Sequence, residues 1–437
     1  MSTHSTETNE TTTAEPPSVK GWCPGALRPM QTGDGLIVRI RPRCGALDAA
    51  QMIALADIAH RHGNGLIDLT RRANLQLRGI GERHLPDVWT ALSRIGLMDP
   101  SADAESVRNV MVSPLAGLDP SQRHDIRPLA AALEKSLAET PALWPLPGKF
   151  GFVVDGGGLL PLDGERADIR LRASTADRPV TIALGIDSST GTRWLGSFDP
   201  STAAAAAIRV AEAFVGTPKP TPRARMRDLD AGGVSMLQSA LETADAPPAA
   251  IAPDRPSAAD RVGRIDVGGD IVAVGLGAPL GRLTADALAA LANAAALTGA
   301  GTFRLSPWRA LYVPVKTGAE AASLLATGRD LGLVTDARDP LIAIDACPGT
   351  PACRSAWADT RAAARQIAAQ MPLPGVASLH ISGCAKGCAR SRAADLVLVA
   401  GPAGFGIVRH GIASAAPDAV IAPTALTDLP AVLRTGI

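Results

Sequence analysis

The sequence has few aromatic residues, few cysteines and almost no net charge. Aromatic residues make up 3% of its 437 residues, with a single tyrosine, and there are six cysteines and a formal net charge of +1. Six cysteines are too few for a disulfide scaffold, and near-neutrality gives no electrostatic reason to expect nucleic acid or a membrane as a partner. No apolar run reaches the roughly 18 residues of a membrane-spanning helix. We therefore expect a cytoplasmic protein.

A gapless internal repeat organises the chain. With an offset of 236, residues 34–79 align with residues 270–315. The identical pairs include Gly45/Gly281, Gly63/Gly299 and Leu75/Leu311. Because glycines and strand residues keep the same register, the repeat indicates a true duplication.

Each copy of the repeat predicts a strand, a helix and a second strand. The helix is expected to begin after Asp48 or Thr284, whose side-chain oxygens suit an N-cap, and to end at Gly63 or Gly299. Residues 66–80, LIDLTRRANLQLRGI, alternate as one strand does. The repeat predicts a pseudo-twofold α+β protein.

Four of the six cysteines lie in the second half, with the spacing C-x5-C-x30-C-x3-C. They are Cys347, Cys353, Cys384 and Cys388. At the repeat offset Met111 corresponds to Cys347, so the first half lacks this set. Structural zinc sites prefer closer C-x2–4-C pairs, whereas wider and mixed spacing suits an iron–sulfur cluster. The pattern favours a [4Fe–4S] cluster, with zinc or unrelated buried thiols as alternatives.

Three segments resemble a known family. They are CPGALRPMQTGDGLIVRIRP (23–42), ACPGTPACRSAWADTR (346–361) and HISGCAKGCAR (380–390). Together they resemble the precorrin-3B synthase family of the sulfite/nitrite reductase superfamily, over residues 20–415. The likeness departs after Cys388, where the family pattern has His-Pro and this chain has Arg390-Ser391.

The resemblance implies an organisation and a set of cofactors. It implies ferredoxin-like half-domains at 21–95 and 263–335, a reductase-type lobe without cluster cysteines at 96–240 and an iron–sulfur lobe at 336–437. The polar, Thr-rich composition of 1–20 predicts a disordered tail, and the Pro/Ala-rich composition around 242–260 predicts a linker at 241–262. The implied cofactors are a [4Fe–4S] cluster on the four cysteines and a mononuclear non-haem iron, with siroheme expected only in the superfamily's reductases. The iron ligands are not assigned by any pattern in the sequence.

The resemblance also implies a tetrapyrrole site. The basic residues of the superfamily's sulfite and nitrite reductases carry over to Arg72, Arg108 and Lys149, and the second lysine of their Lys-x-Lys pattern is replaced by Gly151. Residues 20–78 contain nine Lys or Arg against four Asp or Glu, and guanidinium groups bind carboxylates in bidentate fashion. Arg39, Arg41 and Arg78 are therefore further candidates.

The implied reaction is the O2-dependent hydroxylation of precorrin-3A at C20, with closure of a γ-lactone from a ring-A acetate. Electrons are expected from NADH through a reductase or from a ferredoxin-like donor. Two alternatives remain at this point. A siroheme-dependent sulfite or nitrite reductase would need the cation that Gly151 removes, and a non-catalytic tetrapyrrole-binding protein would keep the arginines but not need a redox cluster.

Overall fold

The structure, a computed structural model, describes residues 22–174, 179–221, 223–241, 261–268 and 271–434. The predicted tail at 1–20 and the predicted linker segment at 242–260 lie outside these residues. The described chain forms two compact units, one of residues 343–434 with 32–34 and the other of the remaining residues up to 342. None of the described helices combines the length and apolar character needed to cross a bilayer.

The first repeat contains five strands and two helices. They are β1 (Met30–Thr32), β2 (Gly35–Ile40), β3 (Ala46–Asp48), α1 (Ala49–His62), β4 (Leu66–Leu69), β5 (Leu75–Ile80) and α2 (Leu85–Arg94). The N-cap prediction is confirmed, since the Asp48 carboxylate accepts a hydrogen bond of 2.7 Å from the Gln51 amide. The helix ends before Gly63, as predicted.

A lobe with one five-stranded sheet follows. Its elements are α3 (Ala102–Val107), β6 (Val110–Val112), α4 (Arg127–Glu139), β7 (Phe152–Asp155), β8 (Ile169–Ala173), β9 (Ile182–Ser188), β10 (Gly191–Phe198), α5 (Ala203–Gly216) and α6 (Ala231–Ser239). The strand order is β10-β9-β8-β7-β6, with β6, β7 and β8 parallel and the other pairs antiparallel. Apolar residues of α4 and α5 form one buried cluster with the sheet, which removes that apolar surface from water.

The second repeat has the same order of elements as the first. They are β11 (Gly263–Gly268), β12 (Ile271–Gly277), β13 (Arg282–Thr284), α7 (Ala285–Leu297), β14 (Thr302–Leu305), β15 (Ala310–Val315) and α8 (Gly318–Asp330). As predicted, α7 begins after Thr284, whose hydroxyl accepts from the Ala287 amide at 3.1 Å. The predicted duplication of ferredoxin-like halves is confirmed.

The interpretation of residues 66–80 as one strand is wrong. The segment forms two strands, β4 and β5, joined by a tight turn in which Ala73 has a φ of 52°. The Thr70 hydroxyl accepts from the amides of Arg72 and Asn74, both at 3.2 Å, which closes the turn as a short polar side chain commonly does. Arg71 and Arg72 consequently occupy the turn and not a strand.

The two halves exchange strands. β13 of the second repeat pairs with β4 of the first, and β3 of the first repeat pairs with β14 of the second. The sheets therefore read β1-β2-β5-β4-β13 and β11-β12-β15-β14-β3. Buried residues of both repeats, including those of α1 and α7, belong to one hydrophobic cluster.

The last lobe repeats the sheet of the first lobe. Its elements are β16 (Ile344–Ala346), α9 (Thr360–Ala368), β17 (Leu379–Ser382), β18 (Ala394–Gly401), β19 (Gly404–Gly411), β20 (Ala419–Ile421) and α10 (Leu429–Arg434). Again the first three strands are parallel and the next two pairings antiparallel. The duplication thus extends to both lobes, although their sequences have diverged.

A buried carboxylate holds one of the exchanged strands. Asp68 on β4 accepts from Arg282 on β13 at 2.7 and 3.0 Å, and from Arg78 on β5 at 3.2 Å. Asp68 is 4% exposed and Arg78 is 1% exposed. Since a one-residue slip of β13 would separate Arg282 from a buried charge, this triad fixes the strand register.

Replacing Asp68 by Asn is expected to lower the free energy of unfolding by about 3–5 kcal/mol, because it leaves two arginines without their counter-charge in the interior. Urea unfolding followed by circular dichroism measures the change. The matched control is Asp57→Asn, which breaks the exposed Arg61–Asp57 pair of α1 and is expected to cost about 0.5 kcal/mol or less. Equal effects of the two variants would contradict a stabilising role for the triad.

Candidate functional site

The four C-terminal cysteines lie at one edge of the last sheet. Cys347 directly follows β16, and Cys384 lies two residues after the end of β17, its parallel neighbour. Because carboxyl ends of adjacent parallel strands meet at the same edge, two separate loops bring their thiols together. Cys353 and Cys388 follow on the same two loops.

Hydrogen bonds hold these two loops in place. The Gly383 amide donates to the Cys347 sulfur at 3.2 Å, and the Trp357 amide donates to the Gly383 carbonyl at 3.0 Å. The Thr360 hydroxyl donates to the Cys347 carbonyl at 2.6 Å. The loops are therefore held by the protein's own contacts, and one sulfur already accepts an N–H group.

Burial and the neighbouring thiols raise the pKa of Cys388 and of Cys353. Desolvation raises the pKa of Cys388, and the charges of Cys347, Cys384 and Cys353 raise it further, while Lys386 opposes them. Desolvation also raises the pKa of Cys353, and Cys347 and Cys384 act in the same direction. Four thiolates in this site repel one another, so the site favours a group that carries positive charge.

Two further residues fix the loops. A Cβ at Gly383 would lie 2.7 Å from the Ala356 Cβ, so close packing between the loops requires glycine there. Arg390 donates to Asp345 on β16 at 3.1 Å and to the Ala393 carbonyl at 3.0 and 2.9 Å. The arginine that replaces the family's His-Pro thus ties the end of the Cys388 loop to the strand that precedes Cys347.

In the larger unit, four arginines form what we call the guanidinium cluster: Arg39, Arg41, Arg72 and Arg225. Arg39 lies on β2 and bonds Gln76 of β5 at 2.7 and 3.2 Å. Arg41 pairs with Glu105 at 3.0 Å, and Arg225 donates from Nε to Asp168 at 2.8 Å. With two carboxylates against four guanidinium groups, the cluster keeps an excess of positive charge.

Electrostatics confirm that these groups are close together. The pKa of Arg39 is lowered to about 10, mainly by burial. The charges of Arg41 and Arg72 lower it as well, whereas Cys23 raises it. Burial lowers the pKa of Arg72, with Arg225 the next cause. An anion placed among these guanidinium groups would relieve their mutual repulsion.

Gly151 provides the space for Arg72. A Cβ at position 151 would lie 2.5 Å from Nη1 of Arg72. The Gly151 amide donates at 2.9 Å to Asp168, the same carboxylate that binds Arg225. A side chain at position 151 would therefore have to displace the Arg72 guanidinium.

The other predicted arginines lie elsewhere. Arg78 is paired with Asp68, as described above, and Arg108 is buried with Asp99 at 2.7 and 2.9 Å and with the Arg41 carbonyl at 2.8 Å. These contacts favour structural roles for Arg78 and Arg108. Lys149 is exposed. The structure thus brings together Arg39, Arg41 and Arg72 from the predicted set.

Sequence reasoning missed Arg225 and its partner Asp168. They are 57 residues apart and follow no repeat offset. The one local signal is the basic run RARMR at 223–227, which stands out in a chain of near-zero net charge.

Comparisons with known proteins agree with this architecture. The family described as the nitrite/sulfite reductase ferredoxin-like half domain matches residues 28–95 and 266–327. A precorrin-3B synthase from Sinorhizobium sp. is 36% identical, over 92% of this chain and 85% of its own. A ferredoxin–nitrite reductase from Synechococcus elongatus is 28% identical, over 85% of this chain and 77% of its own.

A solved structure has the same fold. The NirA protein of Mycobacterium tuberculosis superposes with a TM-score of 0.71 at 21% identity, over 91% of this chain and 80% of its own.

Cys44 is expected to react much more slowly than an ordinary thiol. Burial and the neighbouring Glu134 raise its pKa from 9.0 to about 11, and only the thiolate is alkylated. At pH 8 its reaction with iodoacetamide should be about 100-fold slower than that of an ordinary thiol, and should accelerate as pH rises toward 11. Mass spectrometry of the modified peptide measures the rate. Equal rates in the folded protein and in urea would contradict the prediction.

Proposed function

Because the chain belongs to the precorrin-3B synthase family, a group of oxidoreductases in the sulfite/nitrite reductase-like superfamily, we propose that it hydroxylates precorrin-3A. In this proposal O2 supplies the oxygen added at C20, and a ring-A acetate closes a γ-lactone. Two electrons and two protons reduce the second oxygen atom to water. The donor is external: NADH through a reductase, or a ferredoxin-like protein.

The observation that carries the proposal is the guanidinium cluster. A precorrin bears several carboxylates, and planar guanidinium groups bind carboxylates through two parallel hydrogen bonds. Arg39 and Arg72 are half-buried, so each keeps some accessible surface while sitting in a partly desolvated setting that strengthens such bonds. We propose that Arg39 and Arg72 orient the macrocycle by its carboxylates, and that the buried Arg41, which is paired with Glu105, adds its positive charge behind them.

The four-cysteine site fits an iron–sulfur cluster. Its thiols destabilise one another as anions, and the Gly383 amide already donates to one sulfur, a contact typical of such clusters. Cys347, Cys353, Cys384 and Cys388 would hold the group, which supplies one-electron transfer when bound. The chain's own part is to fix the two loops through Thr360 and Arg390, and to place Lys386 where it favours the thiolate forms.

Gly151 supports this reading over a siroheme-dependent reductase. Reduction of a small oxyanion needs several cations that point at one position and can deliver protons. Here the second lysine of the reductases' Lys-x-Lys pattern is absent, and Arg72, which has no readily released proton at neutral pH, takes the adjacent space. A group that binds carboxylates but does not deliver protons suits macrocycle recognition.

The decisive experiment is anaerobic purification with iron, acid-labile sulfide and absorption measurements, followed by incubation with precorrin-3A, O2 and a reductant. We expect iron and sulfide without siroheme bands, and a product heavier by one oxygen atom. A Cys384→Ser variant should lose the sulfide, whereas Cys44→Ser should keep it. Siroheme bands, or zinc in place of iron and sulfide, would contradict the proposal.

Replacing Gly151 by Lys is expected to weaken precorrin-3A binding about 10- to 100-fold, because the new side chain displaces the Arg72 guanidinium and one charged hydrogen-bonded pair is lost. Absorbance titration measures the affinity. Gly216→Lys is the matched control, since no atom lies within 4 Å of a Cβ at Gly216. Unchanged affinity in the Gly151 variant would exclude Arg72 as a tetrapyrrole ligand.

A further inference from the structure

A cluster of two histidines and one aspartate lies at the junction of α1 and α2. His62 is the last residue of α1, His84 is the residue before α2, and Asp87 lies in the first turn of α2. Their candidate ligand atoms all lie within 4.8 Å of one another. The two imidazole rings face each other at 5.4 Å between centroids, with an interplanar angle of 51°.

One nitrogen of this cluster is buried and makes no hydrogen bond. Nδ1 of His62 has essentially no solvent-accessible surface and no partner. Leaving a buried polar atom unpaired is unfavourable, so such an atom in a folded protein calls for an explanation. A bound cation that accepts the nitrogen lone pair would provide one.

From these contacts we propose that His62, His84 and Asp87 bind a divalent transition-metal ion of the zinc type. Two imidazoles and a carboxylate are a common zinc set that leaves one position for water. Tetrahedral ligands on zinc lie about 3.3–3.5 Å apart, from bonds of about 2.0–2.1 Å, so the three side chains must approach by about 1 Å. Asp87 is exposed and can rotate, and the exposed Arg83, which donates to Nε2 of His84 at 3.2 Å, can move aside.

The site is separate from the guanidinium cluster. Arg72 lies just before β5, and His84 lies after its other end. A strand of six residues spans about 17 Å at about 3.4 Å per residue. An ion on these histidines therefore lies at the opposite end of β5 from Arg72.

The geometry gives the ion a structural role. It joins the end of one helix to the start of the next, beside the Gly81 amide that donates to the His62 carbonyl at 3.3 Å. Binding to the folded state alone stabilises that state. The ion thus cross-links the end of α1 to the start of α2 in the first ferredoxin-like half.

The test is equilibrium dialysis of the full-length, cluster-loaded protein against Zn²⁺, followed by metal analysis. The wild type is expected to gain one equivalent of zinc and to melt at a higher temperature with zinc present. His62→Ala, His84→Ala and Asp87→Asn should each lose both effects.

His60→Ala is the matched control, because His60 is exposed on the same last turn of α1 and lies outside the cluster; it should bind zinc as the wild type does. Asp87→Asn preserves the shape of the side chain, so a loss there does not reflect misfolding. No zinc uptake by the wild type, or uptake retained by all three variants, as thiol binding would give, would overturn the proposal.

Discussion

The architecture of the larger unit depends on the charge of Asp68. Its carboxylate accepts hydrogen bonds from Arg78 of β5 and from Arg282 of β13, the strand that belongs to the other repeat. Because this strand completes one sheet while β3 completes the other, neither half has a full sheet without its counterpart. The turn that carries Arg72 joins β4, which pairs with the exchanged β13, to β5.

The two lobes show how a duplicated scaffold can hold different chemistry. Both sheets have the same strand order and directions, yet the loops after their first two parallel strands differ. In the last lobe these loops carry Cys347 and Cys384, whereas in the first they carry Ser113 and Gly156, whose amide donates to the Ser113 hydroxyl at 3.4 Å. The correspondence of Met111 to Cys347 is therefore wrong, because Met111 lies within β6, whereas Ser113 directly follows β6 as Cys347 follows β16. A neutral contact occupies the place of the thiol pair, which fits a division of labour between the lobes.

Local patterns predicted much of the fold, and long-range charge pairing limited what could be predicted of the site. The caps at Asp48 and Thr284 depend on three or four neighbouring residues, and the cysteine spacing is visible in the chain. The Thr70 turn was missed because alternation continues through it. Arg78 looked like the other strand arginines because no local pattern marks its partner Asp68, which also binds Arg282, 214 residues further along the chain from Asp68. Arg225 reaches Asp168 across 57 residues, a contact without any periodicity.

The strand exchange also bears on synthesis of the chain. Asp68 and Arg282 are 214 residues apart, so at about 5–20 residues per second β4 emerges from the ribosome about 10–40 s before its neighbour exists. During that interval an apolar strand has an open edge, the kind of surface that promotes aggregation. A charged residue in the middle of the strand opposes such pairing. The carboxylate that later fixes the register therefore also opposes intermolecular strand pairing until Arg282 has been synthesised.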